Sequence, residues 1–221
     1  MIRLNSVTKS YQAGDSNTHL ALNNVNLFAD SGTVTIVKGP QGAGKTVLLH
    51  LIAGIERPTQ GTIQVGEYDL TAAAQGVLNQ YRQKAVGFVA KQSTLLAGLT
   101  PIENVELPAV FAGMSESQRM PLVLTTLQFM GLSNNLYRHI KLSGLDQRLI
   151  AFARANLFDP PVFIADDPTH LMNITGAEVI ASVLDKLILR GKTIVVASND
   201  AMLLRQAHQV IHLSHGHTIL P

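Results

Sequence analysis

Cysteine is missing from the 221 residues, which excludes a disulfide framework, a zinc–thiolate site and a thiol nucleophile. Charge is scarce: Asp, Glu, Lys and Arg make up 14% of the chain, against about 25% in an average soluble domain. The formal net charge is only +2 and no block of Lys or Arg stands out, so nucleic acid is not an expected partner. Long apolar runs are absent as well. Stretches such as Thr33–Val37, Val162–Ala165 and Thr193–Ala197 fall far short of the roughly 18 residues that span a bilayer. Met1–Asn5 opens directly into strand-like alternation, without the apolar core of a signal peptide, so a cytoplasmic chain is expected.

What remains is apolar. Hydrophobic residues make up 46% and the mean hydropathy is +0.20, which excludes disorder and hints at more apolar surface than a solitary protein needs. The length suits one domain over residues 1–221, with room for an inserted subdomain. Strand-like runs are predicted at Ile2–Thr8, Leu20–Ala29, Thr33–Lys38, Thr62–Val65, Val86–Val89, Val162–Ala165 and Thr193–Ala197. Helices are predicted over Val47–Ala53, Leu70–Gln83 and Ala177–Arg190, with another starting near Ser143. From Pro101 to about His139 the pattern is helical. There Ser115–Gln118 reads as a capping box, and Leu122, Leu124, Leu127, Phe129, Met130 and Leu132 carry the helix that follows. The tail Val210–Leu220 reads as a hairpin turning at His215-Gly216. Strands alternating with helices imply a parallel sheet, and the helical middle implies an inserted lobe.

The most specific signal is Gly39-Pro40-Gln41-Gly42-Ala43-Gly44-Lys45-Thr46, a P-loop between a predicted strand and a predicted helix. Its glycines let successive N–H groups turn towards phosphate oxygens, and the helix start adds its positive end. Lys45 supplies a full charge for the β- and γ-phosphates, and Thr46 a hydroxyl for Mg²⁺. Val162–Ala165 then runs into Asp166 and Asp167, an apolar strand ending in carboxylates, as an Mg²⁺-positioning site requires. A nucleoside triphosphate is the expected ligand.

At this point the residues resemble a family, the ATP-binding cassette (ABC) subunits of transporters, and within it the macrolide-exporter, lipoprotein-release and cell-division class. The matching residues run from about Ile2 to Leu220: Tyr11, Val86–Val89, Leu95-Leu96, Leu99-Thr100, Glu103–Val105, Leu107–Gly113, Leu142-Ser143-Gly144, Ala153–Ala155, Asp166 and Pro168-Thr169. The resemblance implies an α/β P-loop NTPase fold of the ABC-cassette type. It would have a RecA-like parallel-sheet core, an N-terminal antiparallel β subdomain and an inserted helical subdomain over about residues 100–158. It implies ATP and Mg²⁺ as cofactors, with Tyr11 stacking on adenine and Thr46 and Asp166 holding the metal. Two cassettes, identical or different, would pair head to tail, each ATP lying between one P-loop and the other subunit's signature residues, Ser143 and Gly144. Membrane-spanning subunits would anchor the pair at the inner face of the cell membrane.

Several positions depart from the family pattern. Lys91, followed by Gln92, stands where the Q-loop glutamine falls, and the signature reads Leu142-Ser143-Gly144-Leu145-Asp146. Leu145 and Asp146 would face the partner's γ-phosphate. At about 6 Å and an effective dielectric near 20 the carboxylate's repulsion is on the order of 2–3 kcal/mol. The catalytic glutamate is Asp167, the D-loop aspartate is Asn173 and the switch histidine is Asn199. Asn173 apart, these positions surround one γ-phosphate, so the expectation is that ATP binds while hydrolysis is slow or lost. The alternative from a different class is a non-catalytic scaffold that acts through protein contacts without ATP. His212, His215 and His217 suggest a metal only weakly, having no carboxylate or thiol beside them in sequence. His170 replaces a usual glycine near the expected dimer seam, where surface contact is its expected role. Leu107–Met114 reads equally as core or as a docking surface for a membrane partner.

Overall fold

The computed structural model describes residues 1–13, 17–92, 95–132, 136–137 and 142–219. The sequence expectations at His139 and Leu220 lie outside these residues. Two sheets form the frame. The first is antiparallel, in the order β2 (Asn17–Ala29), β1 (Ile2–Ala13), β4 (Gln60–Val65), β5 (Tyr68–Asp69). The second has the order β10 (His217–Ile219), β9 (Gln209–Ser214), β3 (Val34–Lys38), β8 (Thr193–Ala197), β7 (Val162–Asp166), β6 (Val86–Val89). Its strands β9, β3, β8, β7 and β6 are parallel, and only β10 runs antiparallel.

The continuous apolar runs of β7 and β8 follow from burial on both faces. On β8, Val195 and Ala197 enter the core shared with α1 (Lys45–Ile52) and the antiparallel sheet. Ile194 and Val196 enter the opposite core, under the helices α3 (Pro101–Phe111), α4 (Glu116–Phe129), α5 (Gly144–Asn156) and α6 (Ile174–Leu189). The same period of two on β7 sends Ile164 into the α1-side core and Phe163 into the helical one. It also places Asp166, at the strand's end, on the face towards α1. The helices α3, α4 and α5 lie between β6 and β7 in the chain, where the inserted lobe was expected.

The helix starts have identifiable causes. Thr100 and Glu103 form a capping box at α3: Glu103 accepts from the Thr100 N–H at 2.7 Å, and Thr100 accepts from the Glu103 N–H at 3.3 Å. At α4, Gln118 accepts from the Ser115 N–H at 3.0 Å. Two expectations need correction. The helix predicted over Leu70–Gln83 is only α2 (Gln75–Lys84). Before it the chain pairs briefly as β5 and turns: Asp69 accepts from the Thr71 N–H at 2.9 Å, and the Thr71 hydroxyl from the Ile63 N–H at 2.9 Å. In α4 the buried face is Val123, Thr126 and Leu127, whereas Leu122 and Leu124 are exposed. The short helix α7 (Ala201–Leu204) was not foreseen; Asp200 caps it, accepting from the Met202 N–H at 2.8 Å. Beyond these, β1 and β2 extend past the predicted runs.

Gly87 on β6 lies so close to α5 that a Cβ there would sit 2.3 Å from the Ala155 carbonyl oxygen. Gly87→Ala is expected to cost about 1–3 kcal/mol through overpacking, read as a lower urea midpoint. An unchanged midpoint would contradict the packing described.

Candidate nucleotide-binding site

In an open parallel sheet, ligands bind beyond the carboxyl ends of the strands. Here the ends of β3, β7 and β8 lead into Gly39, Asp167 and Ser198, and the end of β6 leads towards Lys91. All the altered positions except those of the signature and the D-loop therefore meet at one edge. They line a cavity of about 690 Å³ together with Gln41–Thr46.

The loop's shape rests on two glycines. A Cβ at Gly39 would lie 2.0 Å from the Leu213 carbonyl oxygen, which no side chain tolerates. Gly44 caps α1 with φ of 100°, in the left-handed region that favours glycine, and offers no side chain to the first amides of the helix. Those amides stay free for an anion, and the first turn carries no acidic residue to compete. Lys45 folds back over the loop, its Nζ donating to the carbonyl oxygens of Gly39 at 2.6 Å and Pro40 at 2.8 Å. Burial lowers its pKa below the ordinary lysine value; Asp167 and Asp166 oppose the shift, and Lys91 reinforces it.

Thr46 donates to Asp166 at 2.7 Å. A hydroxyl and a carboxylate in contact are hard oxygen donors of the kind Mg²⁺ takes, so the pair fits the metal. Asp167 follows in a left-handed conformation, φ 44°, a region in which Asp is enriched several-fold. Its Oδ2 lies 3.1 Å from Lys91 Nζ and 3.5 Å from His170 Nδ1. Arg148 of α5 braces Lys91 from behind, donating to the carbonyl oxygens of Ala90 and Lys91 at 2.7 Å each. Burial lowers the Arg148 pKa, opposed by Asp167 and Asp166. Asn104 ties the following segment, accepting from the Leu96 N–H at 2.8 Å and donating to the Leu99 oxygen at 3.2 Å.

Asn199 does not reach into the cavity as a free side chain. Its amide pairs twice with the first P-loop residue: Oδ1 accepts from the Gly39 N–H at 3.1 Å, and Nδ2 donates to the Gly39 oxygen at 2.9 Å. Asn173 caps α6, accepting from the Gly176 N–H at 2.9 Å. Tyr11 keeps a partly exposed ring on β1. Its hydroxyl donates to Glu56, Lys9 Nζ lies over its ring 4.9 Å from the centroid, and it is not among the residues lining the P-loop cavity. His19, its cross-strand partner on β2, does line that cavity.

Ser143, Gly144 and Leu145 border a second cavity, with His170 and Met172 across from them. The Ser143 hydroxyl donates to the Asp146 carboxylate at 2.7 Å and accepts from the Asp146 N–H at 3.1 Å. Asp146 is thus turned onto its own helix start, where its charge is favourable. Leu145 is half-buried against the helical core. Leu145 also lines the cavity beside Ser143 and Gly144, while Asp146 is engaged at its own helix start. At the C-terminal hairpin, His217 contacts Asn23 and His215 contacts Ser214. Among the described residues no three His, Asp or Glu side chains cluster as metal ligands.

Comparison with known proteins decides the family. Residues 22–170, about two-thirds of the chain, match the ABC transporter family. The chain belongs to that family. It is 35% identical over 222 residues to the ATP-binding protein MJ0796 of Methanocaldococcus jannaschii, covering 98% of this chain and 94% of the relative. A solved dimeric structure of MJ0796 superposes with a TM-score of 0.92 over 100% of this chain and 97% of that one; a second holds ADP and Pi at a TM-score of 0.91. The ATP-binding protein YvrO of Bacillus subtilis is 31% identical over 221 residues, covering 100% of this chain and 96% of YvrO. The macrolide export ATP-binding/permease protein MacB of Escherichia coli is 30% identical over 220 residues. That match covers 99% of this chain but only 34% of MacB. This ABC cassette is thus an ATP-binding domain of a transport complex, and its resemblance to the macrolide and lipoprotein-release class is consistent with these relatives.

Of the groups at the site, sequence reasoning missed Arg148 and His19. A guanidinium inside the signature helix was a signal for the first; the second had none, because its pairing with Tyr11 lies beyond the predicted strand ends. Removing both amide bonds with Asn199→Ala is expected to cost about 1 kcal/mol locally. The measurement is hydrogen exchange at the Gly39 amide, which should speed up about fivefold. Unchanged exchange would mean that the loop holds its shape without Asn199.

Proposed function

We propose that this cassette is the ATP-binding subunit of a membrane-bound transporter, taking ATP with Mg²⁺ in its P-loop and splitting it slowly or not at all. Binding draws on the free amides of α1, on Lys45 and on the Thr46–Asp166 pair. When bound, Mg²⁺ would bridge phosphate oxygens and offset their charge. Splitting needs a base within reach of the attacking water. The observation that carries the reading is at Asp167: its Oδ2 already lies against the Lys91 ammonium, and the residue is one methylene shorter than the family's glutamate. Asn199, at the switch position, is committed to Gly39. Affinity thus keeps its groups while rate loses them, which is possible because the two depend on different interactions.

The dimeric MJ0796 cassette supports pairing with a second ABC subunit, identical or different, and the fused permease of MacB supports membrane-spanning partners at the inner face of the membrane. Among the described residues no helix is long and apolar enough to cross a membrane; the membrane-spanning part of the complex would select the transported substance. Calorimetric titration should give micromolar ATP binding in Mg²⁺, weakened by about 100-fold in Lys45→Ala, on the order of 3 kcal/mol. Absence of binding in the unmodified protein would favour a scaffold that works without ATP. Turnover should rise in the double variant Asp167→Glu, Asn199→His, measured as phosphate release. A gain confined to triple variants that also carry Lys91→Gln would mean that the Lys91 contact has to be released as well.

A further inference from the structure

The P-loop cavity is short of positive charge. The carboxylates of Asp166, Asp167 and Asp200 line it, against the ammonium groups of Lys45 and Lys91 alone. Two imidazoles line it as well: His19 on β2, and His170 beside the carboxylates. The turn after β7 places His170 there. The Asp167 N–H donates to the Ala197 oxygen at 2.8 Å, the His170 N–H donates to the Asp167 oxygen at 3.0 Å, and the ring's Nδ1 lies 3.5 Å from Asp167 Oδ2. Among the described residues the other ring nitrogen, Nε2, has no hydrogen-bond partner, and the side chain is exposed. Asn199, which lines the same cavity, has both ends of its amide engaged with Gly39.

Lys45 stands where a P-loop lysine meets the β- and γ-phosphates, and a metal at Thr46 and Asp166 would bridge the same two groups. The last phosphate of a triphosphate therefore falls where β7 ends, on the side of His170, and ADP stops one phosphate short of it. We propose that His170 is a terminal-phosphate ligand, hydrogen-bonding the γ-phosphate of ATP through Nε2 while Asp167 orients the ring at Nδ1, and that it makes the cassette prefer ATP to ADP. The inference rests on the ATP-binding reading above. An Nδ1 that faces a carboxylate carries a proton, so Nε2 donates only from the imidazolium form. A carboxylate on one side and a phosphate on the other both favour that form. Asp167, with Lys91 on it, meets the ring directly; Asp166, Asp200 and Lys45 lie further round the P-loop cavity, and Arg148 lines the neighbouring cavity that His170 also borders. The imidazolium adds the cation that this set of groups lacks.

Equilibrium dialysis at low temperature with labelled ATP and labelled ADP, both in Mg²⁺, tests this on the full chain and on variants whose thermal melts confirm folding. Near pH 6 the unmodified protein should hold ATP about tenfold or more tighter than ADP. His170→Ala should lose about tenfold in affinity for ATP and less than about twofold for ADP. Between about pH 8 and pH 6 the preference for ATP should widen in the unmodified protein, as imidazole gains its charge. It should stay level in His170→Gln, which meets the same titration of the nucleotides themselves. The pH series on the unmodified protein keeps the test open if the variants do not fold. A His170→Ala variant that loses ATP and ADP equally, or neither, would overturn the inference while leaving ATP binding standing, as would a preference indifferent to pH. Failure of the unmodified protein to bind ATP would overturn both.

Discussion

The backbone at Gly39 passes so near β9 that even a methyl group would collide with the Leu213 carbonyl oxygen. That approach lets β3 end in a turn tight enough to aim the start of α1 back over the sheet edge. Other features of the site attach to this turn. Lys45 and Asn199 both bind the Gly39 carbonyl, and Thr46 reaches Asp166 because α1 begins where β7 ends. Crowding by a backbone atom with no freedom to move thus sets the positions of the groups that would meet a phosphate.

Around that fixed turn, the substitutions that set this cassette apart work as a connected set. An ammonium at position 91 would be costly beside Lys45 without a carboxylate to meet, and Asp167 meets it. A short acid in the left-handed region is better tolerated than a longer or branched side chain. Asn199 makes with Gly39 the paired donor and acceptor bonds of a peptide group, in an arrangement that needs both an amide nitrogen and an amide oxygen. Each altered residue has a partner in the folded chain. Such pairing ties Lys91, Asp167 and Asn199 to neighbours in the folded chain while all three still line the cavity.

The order of strands and helices was legible because β7 and β8 are apolar on both faces and α4 begins with a capping box, all local signals. The P-loop was legible for the same reason. Element ends were less so: β5 is two residues long and held by an Asp69–Thr71 turn, and no periodicity marks it. Side-chain direction was the least legible. Asp146 and Leu145 were visible as substitutions, but that one folds onto Ser143 and the other into the helical core depends on tertiary packing. Tyr11 stands at the family position for an adenine-stacking ring, and its contacts with Glu56, from a distant turn, and with Lys9, two residues before it on β1, were not readable in the sequence. The contact between Lys91 and Asp167 joins two strand ends brought together only by β6 pairing with β7.

The central claim is that nucleotide is held without being split, and the fate of the bound molecule tests it most directly. The protein would be loaded with labelled ATP and Mg²⁺, freed of excess by rapid desalting, and quenched in acid at intervals so that the bound nucleotide can be separated and counted. The account predicts label recovered as ATP for as long as it stays bound. Conversion of the bound pool to ADP within about a second, a rate ordinary for working enzymes, would contradict it.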